Sequence, residues 1–523
     1  MPKPPGASAA VSVGAHAADN GPPAGPGHPD PIAHGLAAMT LPAAVVETHV
    51  SVLFFLGDRV YKLRKPVHFE FLDFRQPEAR QADCRLEVDL NRRLAPDVYL
   101  GVAEVRMDGE PIDHMVVMRR MPDSRRLATL ARQGDELSDW LRQVAGTLAA
   151  FHGRAARSPV ISSAATGAAL RAGWEANFSE TEPFLGTVLD EEIDREIRSR
   201  ALHWIEGRGP LLDARIASGR VCDGHGDLQA EDIFCLDDGV RILDCIEFSD
   251  RLRYIDVSAD VAFLAMDLER LGRPEAAARF LLDYQELAGD RFPDTLGHFY
   301  CASRAYVRAK VCCLRSQQGA GGARTEASLF HEVALNHLRR ARVTMVLVGG
   351  LPGTGKSTLA AGLGEARDWT VLRSDEIRRE IGGRTDEQGS GFAEGRYSPA
   401  ATRMVYEELV RKAERSLELG ESVVLDASWV DAAWRDLARA AADRTASDLV
   451  EFHCVTTPEE ADRRIERRLS EHADISEATP DVREALARST DPWTSATVIA
   501  TSDRTPTEVM ALAEGMLPPR RSG

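Results

Sequence analysis

The sequence predicts two folded domains of different class, an α+β domain followed by an α/β domain built on a parallel sheet. Its 523 residues suffice for two to four domains, at about 100 to 200 residues each. Glycine and small polar residues interrupt a helical pattern at 316–325. The apolar run VTMVLV at 343–348 then opens an alternation of strands and helices. We therefore place the main boundary near residue 340.

Composition and charge restrict the classes of protein. Lysine and arginine number 64 against 81 aspartates and glutamates, a net charge of −17, which disfavours nonspecific binding to a nucleic-acid backbone. No apolar run approaches the roughly 18 residues of a membrane-spanning helix, and no secretory signal pattern is present. The eight cysteines lack metal-ligand spacing, as expected of reduced residues in a cytoplasmic protein.

Three regions follow from these breaks in composition. Residues 1–40 are rich in proline, glycine and alanine. We expect a disordered tail there, because such a segment buries too little apolar surface to offset chain entropy. The first domain is predicted at 41–335 and the second at 341–519.

The second domain begins with a phosphate-binding loop, GLPGTGKS at 350–357, between an apolar strand and a helix predicted from Thr358. Glycines let backbone N–H groups and the helix N-terminus surround phosphates. Lys356 then supplies positive charge to the β and γ oxygens and Ser357 is a Mg²⁺ ligand. The predicted ATP-binding residues here are Gly350, Leu351, Pro352, Gly353, Thr354, Gly355, Lys356, Ser357 and Thr358.

Two aspartates end the next strands of this domain. Asp375 follows TVLRS and is the candidate base that accepts a proton from a substrate hydroxyl, with capping of the following helix as the alternative. Asp426 ends SVVLD, where a carboxylate can hold Mg²⁺ through water.

Four arginines on the helices of this domain are candidates for substrate binding or for a lid over the phosphates. They are Arg378, Arg435, Arg464 and Arg468. The last two lie four residues apart and share a helix face. Acidic residues interleave with them in EEADRRIERRL, so a solvated charged helix is the alternative.

The motifs GLPGTGKST, RSDEIRRE and VVLDASW, with the arginine-rich helix, resemble small P-loop kinases that phosphorylate hydroxyl groups. These include gluconate-kinase-like, zeta-toxin-like and polynucleotide 5′-hydroxyl kinase groups. The resemblance covers about residues 343–515. It implies the reaction type and leaves the phosphoryl acceptor open.

The first domain opens with a predicted β-hairpin whose second strand, VYKLRK, carries Lys62. A helix predicted over 77–94 contains Glu87, a carboxylate that can pair with this lysine and orient it toward the ATP phosphates. Lys65 is the competing lysine, and a plain surface lysine is the alternative for either.

Downstream motifs favour the catalytic interpretation. DGHGDLQAED at 223–232 matches the pattern His-x-Asp followed by a metal ligand, with Asp227 placed to orient or deprotonate an acceptor hydroxyl. Asp232 and Asp244 are the predicted Mg²⁺ ligands, and Asp244 ends the strand VRILD.

HGDLQAEDIF, ILDCIEFSD and YIDV resemble the aminoglycoside phosphotransferase and choline kinase branch of the protein-kinase-like fold, over about residues 45–310. The resemblance implies a bilobal α+β kinase-like domain with Asp227 as base, Asp244 on Mg²⁺ and Asp256 bracing the catalytic loop. Asp232 stands where that family has asparagine, which leaves open a slow enzyme or a nucleotide-sensing pseudokinase.

Taken in order, the α+β domain and the α/β P-loop NTPase domain resemble bacterial proteins described as bifunctional aminoglycoside phosphotransferase and ATP-binding protein. That resemblance implies two sites for ATP and Mg²⁺, each transferring a γ-phosphoryl group to a hydroxyl of a small molecule such as a sugar or aminocyclitol. A regulatory ATP-binding protein and a polynucleotide 5′-hydroxyl kinase are the alternatives. The expected partner is a small-molecule acceptor, without membrane or nucleic acid; the oligomeric state stays open.

Overall fold

The computed structural model of the protein describes residues 12–14, 44–48, 50–69, 72–382, 398–471 and 479–517. The chain forms two compact units. The first unit comprises Met1–Ala164 and Val221–Arg291, and the second comprises Ala165–Arg220 and Phe292–Gly523.

The strands of both units are, in chain order, β1 Ser12–Gly14, β2 Ala44–Glu47, β3 Ser51–Leu56, β4 Arg59–Arg64, β5 His68–Phe69, β6 Leu72–Asp73, β7 Tyr99–Met107, β8 Glu110–Arg119, β9 Val221–Asp223, β10 Ile233–Leu236, β11 Gly239–Ile242, β12 Tyr254–Asp256, β13 Thr344–Gly349, β14 Thr370–Arg373, β15 Val423–Asp426, β16 Asp448–Val455 and β17 Thr497–Ala500.

The helices are α1 Pro77–Asn91, α2 Leu127–Gln133, α3 Ser138–Arg154, α4 Pro159–Ser163, α5 Gly167–Thr181, α6 Glu191–Gly207, α7 Gly209–Ala217, α8 Asp250–Arg253, α9 Val257–Arg270, α10 Pro274–Ala288, α11 Asp294–Gln317, α12 Ala323–Arg340, α13 Lys356–Arg367, α14 Ser374–Gly382, α15 Pro399–Glu418, α16 Ala432–Arg444, α17 Pro458–Glu471, α18 Pro480–Arg488 and α19 Pro506–Glu514.

The first unit is built on an antiparallel sheet of order β1-β7-β8-β4-β3-β2. Helix α1 packs on this sheet through a core that includes Val88, Tyr99 and Val116. The short hairpin of β10 and β11 follows the predicted catalytic loop. Helix α9 is buried from Val257 to Leu268, because nearly every residue of that stretch is apolar. Among its described strands, this α+β unit thus has one six-stranded antiparallel sheet and three two-stranded antiparallel sheets.

The second unit contains a parallel sheet of order β14-β15-β13-β16-β17. Its central strand β13 is buried along its whole length, as expected of a parallel strand covered on both faces. Met345 and Leu347 face one core, whereas Val346 and Val348 face the other. This alternation is the two-residue period of a strand. The carboxyl ends of β13, β14 and β15 meet at one edge.

The compact units and the predicted domains differ in one respect. The sequence assigns residues 165–220 and 292–335 to the first domain, whereas these residues group with the parallel sheet in the second unit. The boundary between residues 335 and 341 stays a prediction. Within the tail predicted to be disordered, Ser12–Gly14 pairs with β7 as a short strand. Residues 1–11 and 15–40 lie outside the described residues.

Among the helices that the structure describes, none combines the length and the apolar character needed to cross a membrane.

Candidate functional site

The first candidate site gathers around Lys62, which points from strand β4 toward helix α1. Its Nζ donates to Glu87 Oε1 at 2.8 Å and lies 3.1 Å from Asp244 Oδ1. Glu87 is fully buried. Burial lowers the pKa of Lys62, but Asp244 and Glu87 outweigh burial and raise it above its usual value. Lys62 is therefore firmly charged, and its predicted contact with Glu87 is present.

Lys65, the competing lysine, takes no part in this site. Its Nζ pairs with Glu47 and donates to the carbonyl of Thr48. Lys62 lies within β4, whereas Lys65 follows the last residue of that strand and its ammonium is held near Glu47. The structure therefore decides between the two lysines in favour of Lys62.

Asp227 follows the short strand β9 in a loop held by buried polar groups. The backbone N–H of Asp227 donates to His225 Nδ1 at 3.4 Å, and His225 Nε2 contacts the carbonyl of Leu243 at 3.0 Å. Burial lowers the pKa of His225, which favours neutral imidazole. A neutral ring that donates from Nε2 and accepts at Nδ1 satisfies both bonds. Gln229 Nε2 donates to Asp227 Oδ2 at 2.9 Å.

Asp260 braces this loop, whereas the family resemblance implied that role for Asp256. Asp260 accepts the backbone N–H groups of His225 at 2.7 Å and Gly226 at 3.0 Å. Its Oδ2 also lies 3.1 Å from His152 Nε2. Asp256 instead caps α9 by accepting the N–H of Ser258 at 2.8 Å. The brace therefore lies one helical turn beyond the cap.

Asp232 and Asp244 lie close enough for their carboxyl groups to interact electrostatically. Lys62 lowers the pKa of Asp244, whereas burial and then the charges of Asp244 and Asp227 raise the pKa of Asp232 well above its usual range. Asp244 adopts a left-handed φ of +64°, and its N–H donates to Tyr99 Oη at 3.2 Å. Such strain in a residue other than glycine is typical of functional sites.

These crowded carboxylates fit a divalent cation. Oxygen ligands of this kind are what Mg²⁺ prefers, and a cation there would relieve the repulsion that raises the pKa of Asp232. Aspartate at position 232 keeps an oxygen ligand where the related family has asparagine. The donor set of the first unit is therefore compatible with the predicted metal.

Sequence reasoning missed the charged residues behind Lys62. Arg64 is 2% exposed and donates to Glu87 Oε2 at 2.7 Å. It also pairs with Glu247, whose pKa is raised to about 7 by burial and by Glu87 and is held down by Arg64. An arginine two positions from a candidate lysine on one strand face was the available signal.

The second candidate site is the phosphate loop between β13 and α13. Gly353 and Gly355 adopt left-handed φ values of +81° and +86°, which curl the backbone around the start of the helix. Helix α13 begins at Lys356, two residues earlier than predicted, so Ser357 and Thr358 lie in its first turn. Within the described part of the chain, the Lys356 ammonium makes no ion pair.

Hydrogen bonds within the phosphate loop and to neighbouring segments hold its backbone in place. The N–H of Gly350 donates to the carbonyl of Ser428 at 3.2 Å, and Thr354 Oγ1 donates to the carbonyl of Leu351 at 2.8 Å. Thr501 Oγ1 donates to the carbonyl of Thr354 at 2.8 Å. These bonds fix the loop without using the side chains of Lys356 or Ser357.

Asp426 lies beside the loop, at the carboxyl end of β15 in register with Val348. It is 4% exposed, and Arg373 Nε donates to its Oδ2 at 3.2 Å. Its Oδ1 is buried without a hydrogen-bond partner among the described residues. An unsatisfied buried carboxylate oxygen is costly, and Mg²⁺ or its bound water would satisfy it. Asp426 and Ser357 therefore fit the predicted metal.

Asp375 is the second residue of α14, whose first residue is Ser374. It therefore lies inside the first turn rather than at the N-cap, so it does not have the capping position of the alternative interpretation. Asp375 and Arg378 both lie close enough to affect the Tyr406 hydroxyl electrostatically. Tyr406 in turn contacts Ser428 Oγ at 3.1 Å.

Arg435 is not brought to this site, which corrects its prediction as a substrate clamp. It is 2% exposed and donates to the carbonyls of Trp429 at 2.7 Å and Pro492 at 2.8 Å. Trp493 packs against its guanidinium, 5.3 Å from the ring centre. The Arg435 guanidinium is buried and donates to backbone carbonyls, so it is not available to a substrate. It instead connects helix α16 to the segments at Trp429 and Pro492.

The two remaining arginines of α17 differ. Arg464 Nη1 lies 3.4 Å from the carbonyl of Gly353 and donates to Thr501 Oγ1 at 3.2 Å, so it supports the phosphate loop. Arg468 is half-buried one turn further along the helix. The structure therefore places Arg464 against the phosphate loop, where its guanidinium contacts the backbone carbonyl of Gly353.

These arrangements define the class of protein. The first unit is an α+β fold in which a sheet lysine pairs with a helix carboxylate, and the second contains an α/β domain with a phosphate loop after its central strand. Residues 345–493 match the family described as AAA domain. The chain is 41% identical over 453 residues to the uncharacterized proteins Rv2004c of Mycobacterium tuberculosis and Mb2027c of Mycobacterium bovis, covering 86% of this chain and 90% of each relative. The chain belongs to the family of these mycobacterial proteins.

Two solved structures are similar to parts of this chain. A choline/ethanolamine kinase family protein from Mesorhizobium loti is 13% identical with a TM-score of 0.36, covering 58% of this chain and 93% of that chain. The APS kinase of Mycobacterium tuberculosis, solved with AMPPNP and APS, is 22% identical with a TM-score of 0.26, covering 33% of this chain and 95% of that chain.

Proposed function

We propose that this protein is an ATP-dependent phosphotransferase with two nucleotide sites, each acting on a hydroxyl group of a small molecule. The observation that carries the proposal is the position of Lys62, which contacts both Glu87 and Asp244. A lysine held between a helix carboxylate and a metal-binding carboxylate is the arrangement that grips ATP phosphates in kinase-like folds. The phosphate loop with Lys356 supports a second site of the same kind.

In the first unit, Asp227 would accept the proton of the acceptor hydroxyl as its oxygen forms a bond to the γ-phosphorus. The bond from that phosphorus to the β-phosphate oxygen breaks, and ADP leaves. Lys62, oriented by Glu87, would hold the phosphates in line with the acceptor. Asp232 and Asp244 would hold Mg²⁺, which offsets charge on the phosphates.

In the second unit, the N–H groups of the loop and the Lys356 ammonium would hold the β and γ phosphates. Ser357 and Asp426 would hold Mg²⁺, directly or through water. Asp375 would accept the acceptor proton, and Arg378, four residues before the end of α14, would contact the acceptor. Arg468 is the proposed lid residue, and Arg464, also predicted for the lid, would support the phosphate loop through Gly353 and Thr501.

The proposed acceptors are small molecules, because a net charge of −17 disfavours nucleic-acid partners. A cytoplasmic location is part of the proposal, since the eight cysteines are buried and unpaired. The identity of the acceptors follows from a screen of sugars, aminocyclitols and amino alcohols.

A regulatory role for the first unit is the second candidate. The observation that favours it is Asp232, which stands where the related family has asparagine and whose pKa is raised by burial and then by the charges of Asp244 and Asp227. A unit that binds nucleotide without transferring phosphate would leave label on inorganic phosphate or on ATP only. Transfer of label to a small molecule by the Lys356→Ala protein, which lacks the lysine of the second site, contradicts this candidate.

The test uses full-length protein and γ-labelled ATP with the acceptor screen. We expect Lys356→Ala to lower turnover of the second site, and Asp227→Asn that of the first, each by about 10² to 10³, because each removes a group that stabilises the transition state. Product identity separates the two sites. Matched controls are Lys412→Ala, an ammonium paired with Glu380, and Lys65→Ala. Wild-type turnover in both site variants would refute the proposal.

A further inference from the structure

Two cations on strand β4 tie the same three elements together. Lys62 and Arg64 lie two residues apart, so their side chains leave the same face of the sheet. Lys62 connects β4 to Glu87 on α1 and to Asp244 on the loop after β11. Arg64 connects β4 to Glu87 on α1 and to Glu247 on that same loop. The two bridges are parallel and share Glu87.

The Arg64 bridge is buried, and four hydrogen bonds hold its guanidinium. Arg64 Nε donates to Asp83 Oδ2 at 2.7 Å, and Nη1 donates to Ser51 Oγ at 2.9 Å. The carboxylates of Asp83, Glu87 and Glu247 lie within 4.8 Å of one another, close enough to hold a metal ion. Arg64 makes an ion pair with each of them, so the guanidinium takes the place of a cation among these acids.

Nucleotide binding should affect the contacts of the two bridges differently. Lys62 and Asp244 touch each other at 3.1 Å, yet each has another partner once nucleotide is bound, the phosphates for one and the metal for the other. Their mutual contact is therefore given up. The Arg64 contacts with Glu87 and Glu247 involve no group that nucleotide or metal needs. We therefore expect these contacts to persist when nucleotide binds.

We propose that Arg64 is a positioning residue, which holds helix α1 and the metal-binding loop on strand β4 while Lys62 and Asp244 take up the nucleotide and its metal. The inference rests on the proposed nucleotide site of the first unit. It assigns to Glu247 the task of keeping Asp244 in place. It assigns to the second oxygen of Glu87 the task of keeping that side chain turned toward Lys62.

The test measures ADP binding by calorimetry in full-length Lys356→Ala protein, which lacks the lysine of the second site. Heat from the same protein carrying Lys62→Ala is subtracted. Glu247→Gln weakens one bridge to the metal-binding loop and leaves Lys62 and Glu87 intact. With Mg²⁺ we expect about tenfold weaker ADP binding, the effect of one charged hydrogen bond. In EDTA we expect a change of less than about twofold, because Asp244 then has no metal to hold.

Arg64→Lys tests the other end of the bridge. A single ammonium lacks the fork that spans several carboxylates, so Glu87 loses its second support. We expect weaker ADP binding both with Mg²⁺ and in EDTA. The matched control is Asp113→Asn, which weakens a comparably buried pair with Arg80 on the same helix, 2.9 Å apart, without touching Glu87 or the loop. It should lower the melting temperature and leave both affinities unchanged.

Equal weakening of Glu247→Gln in Mg²⁺ and EDTA, or no weakening, overturns the inference while the proposed site stands. If the Lys356→Ala parent binds no more ADP than the Lys62→Ala form, the proposed site and the inference fall together. Should Glu247→Gln unfold below the assay temperature, Glu247→Asp replaces it. That variant keeps the charge and withdraws it from Arg64 by one methylene, so the same Mg²⁺-specific loss is expected.

Discussion

The two units would hold a triphosphate with different parts of the chain. In the first unit the gripping groups are side chains from three separate elements, Lys62 on a strand, Glu87 on a helix and Asp244 on a loop. In the second they are mostly backbone groups of one continuous loop that ends at Lys356. The first site therefore depends on buried charges that hold its elements together, and the second depends on local backbone conformation.

The largest loss of nucleotide affinity is expected when the backbone of the phosphate loop in the second unit is displaced. Gly353 has a φ of +81°, and a Cβ there would lie 2.5 Å from the carbonyl oxygen of Ala461. Gly353→Ala must therefore displace the loop or helix α17. We expect nucleotide binding at the second site to weaken at least about hundredfold, or about 2.7 kcal/mol, measured by calorimetry in a Lys62→Ala background.

The matched control is a glycine of the first unit with a similar backbone conformation and open space. Gly57, in the turn between β3 and β4, has a φ of +57°, and a Cβ added to it would meet no described atom within 4 Å. Gly57→Ala should cost about 1 kcal/mol of stability and leave ADP affinity at the first site unchanged. Similar losses of binding in both glycine variants would contradict the distinction between the sites.

An intermediate effect, a loss of stability, is expected from substitution of the buried Asp260 in the first unit. Asp260 accepts two backbone N–H groups of the catalytic loop, and an asparagine would point an N–H group at one of these donors. Asp260→Asn should lower the free energy of unfolding by about 2 kcal/mol, measured by urea denaturation. Asp256→Asn is the control, because asparagine and aspartate are equivalent as helix caps. Equal losses in both variants would refute the bracing role.

The same pair of proteins gives a pH dependence. Burial raises the pKa of Asp260, but His152 and the loop N–H groups outweigh burial and hold it below the usual range. A carboxyl group with a lowered pKa stabilises the fold above its unfolded value of about 3.9. That contribution is lost as the pH falls through the lower, folded value. The difference between wild type and Asp260→Asn should thus be full near neutral pH and shrink in acid. A difference that grows in acid would contradict this assignment.

The sequence predicted the second site more completely than the first, for a physical reason. A phosphate loop is contiguous, so its glycines, lysine and serine appear as one pattern in residues 350–357. Local spacing also predicted the contact of Lys62 with Glu87, because a strand lysine and a helix carboxylate form a known pair. Both predictions needed only short stretches of sequence.

What spacing could not predict were partners far apart in the chain. Arg64 and Glu247 are separated by 183 residues, and an arginine on a strand gives no sign of burial before the sheet and α1 are assembled. Arg435 was expected to face a substrate because it is charged, yet packing under Trp493 turns it to backbone carbonyls. Asp260 follows Asp256 by one turn, and only the loop position shows which of them reaches the amides.

The smallest change in nucleotide affinity is expected from a substitution at the predicted metal site of the first unit. Asp232→Asn restores the residue typical of the related kinase family and removes one negative charge beside Asp244 and Asp227. We expect ADP affinity in EDTA to rise by less than about threefold, because one nearby charge no longer repels the phosphates. With Mg²⁺ the lost ligand charge opposes this gain. Calorimetry at several Mg²⁺ concentrations checks the expected weaker metal dependence. The predicted metal ligands of the second unit, Ser357 and Asp426, do not include Asp232. The Mg²⁺ dependence of nucleotide binding at the second site should therefore not change in this variant. An unchanged metal dependence of the first site would show that the charge of Asp232 contributes nothing to metal binding there.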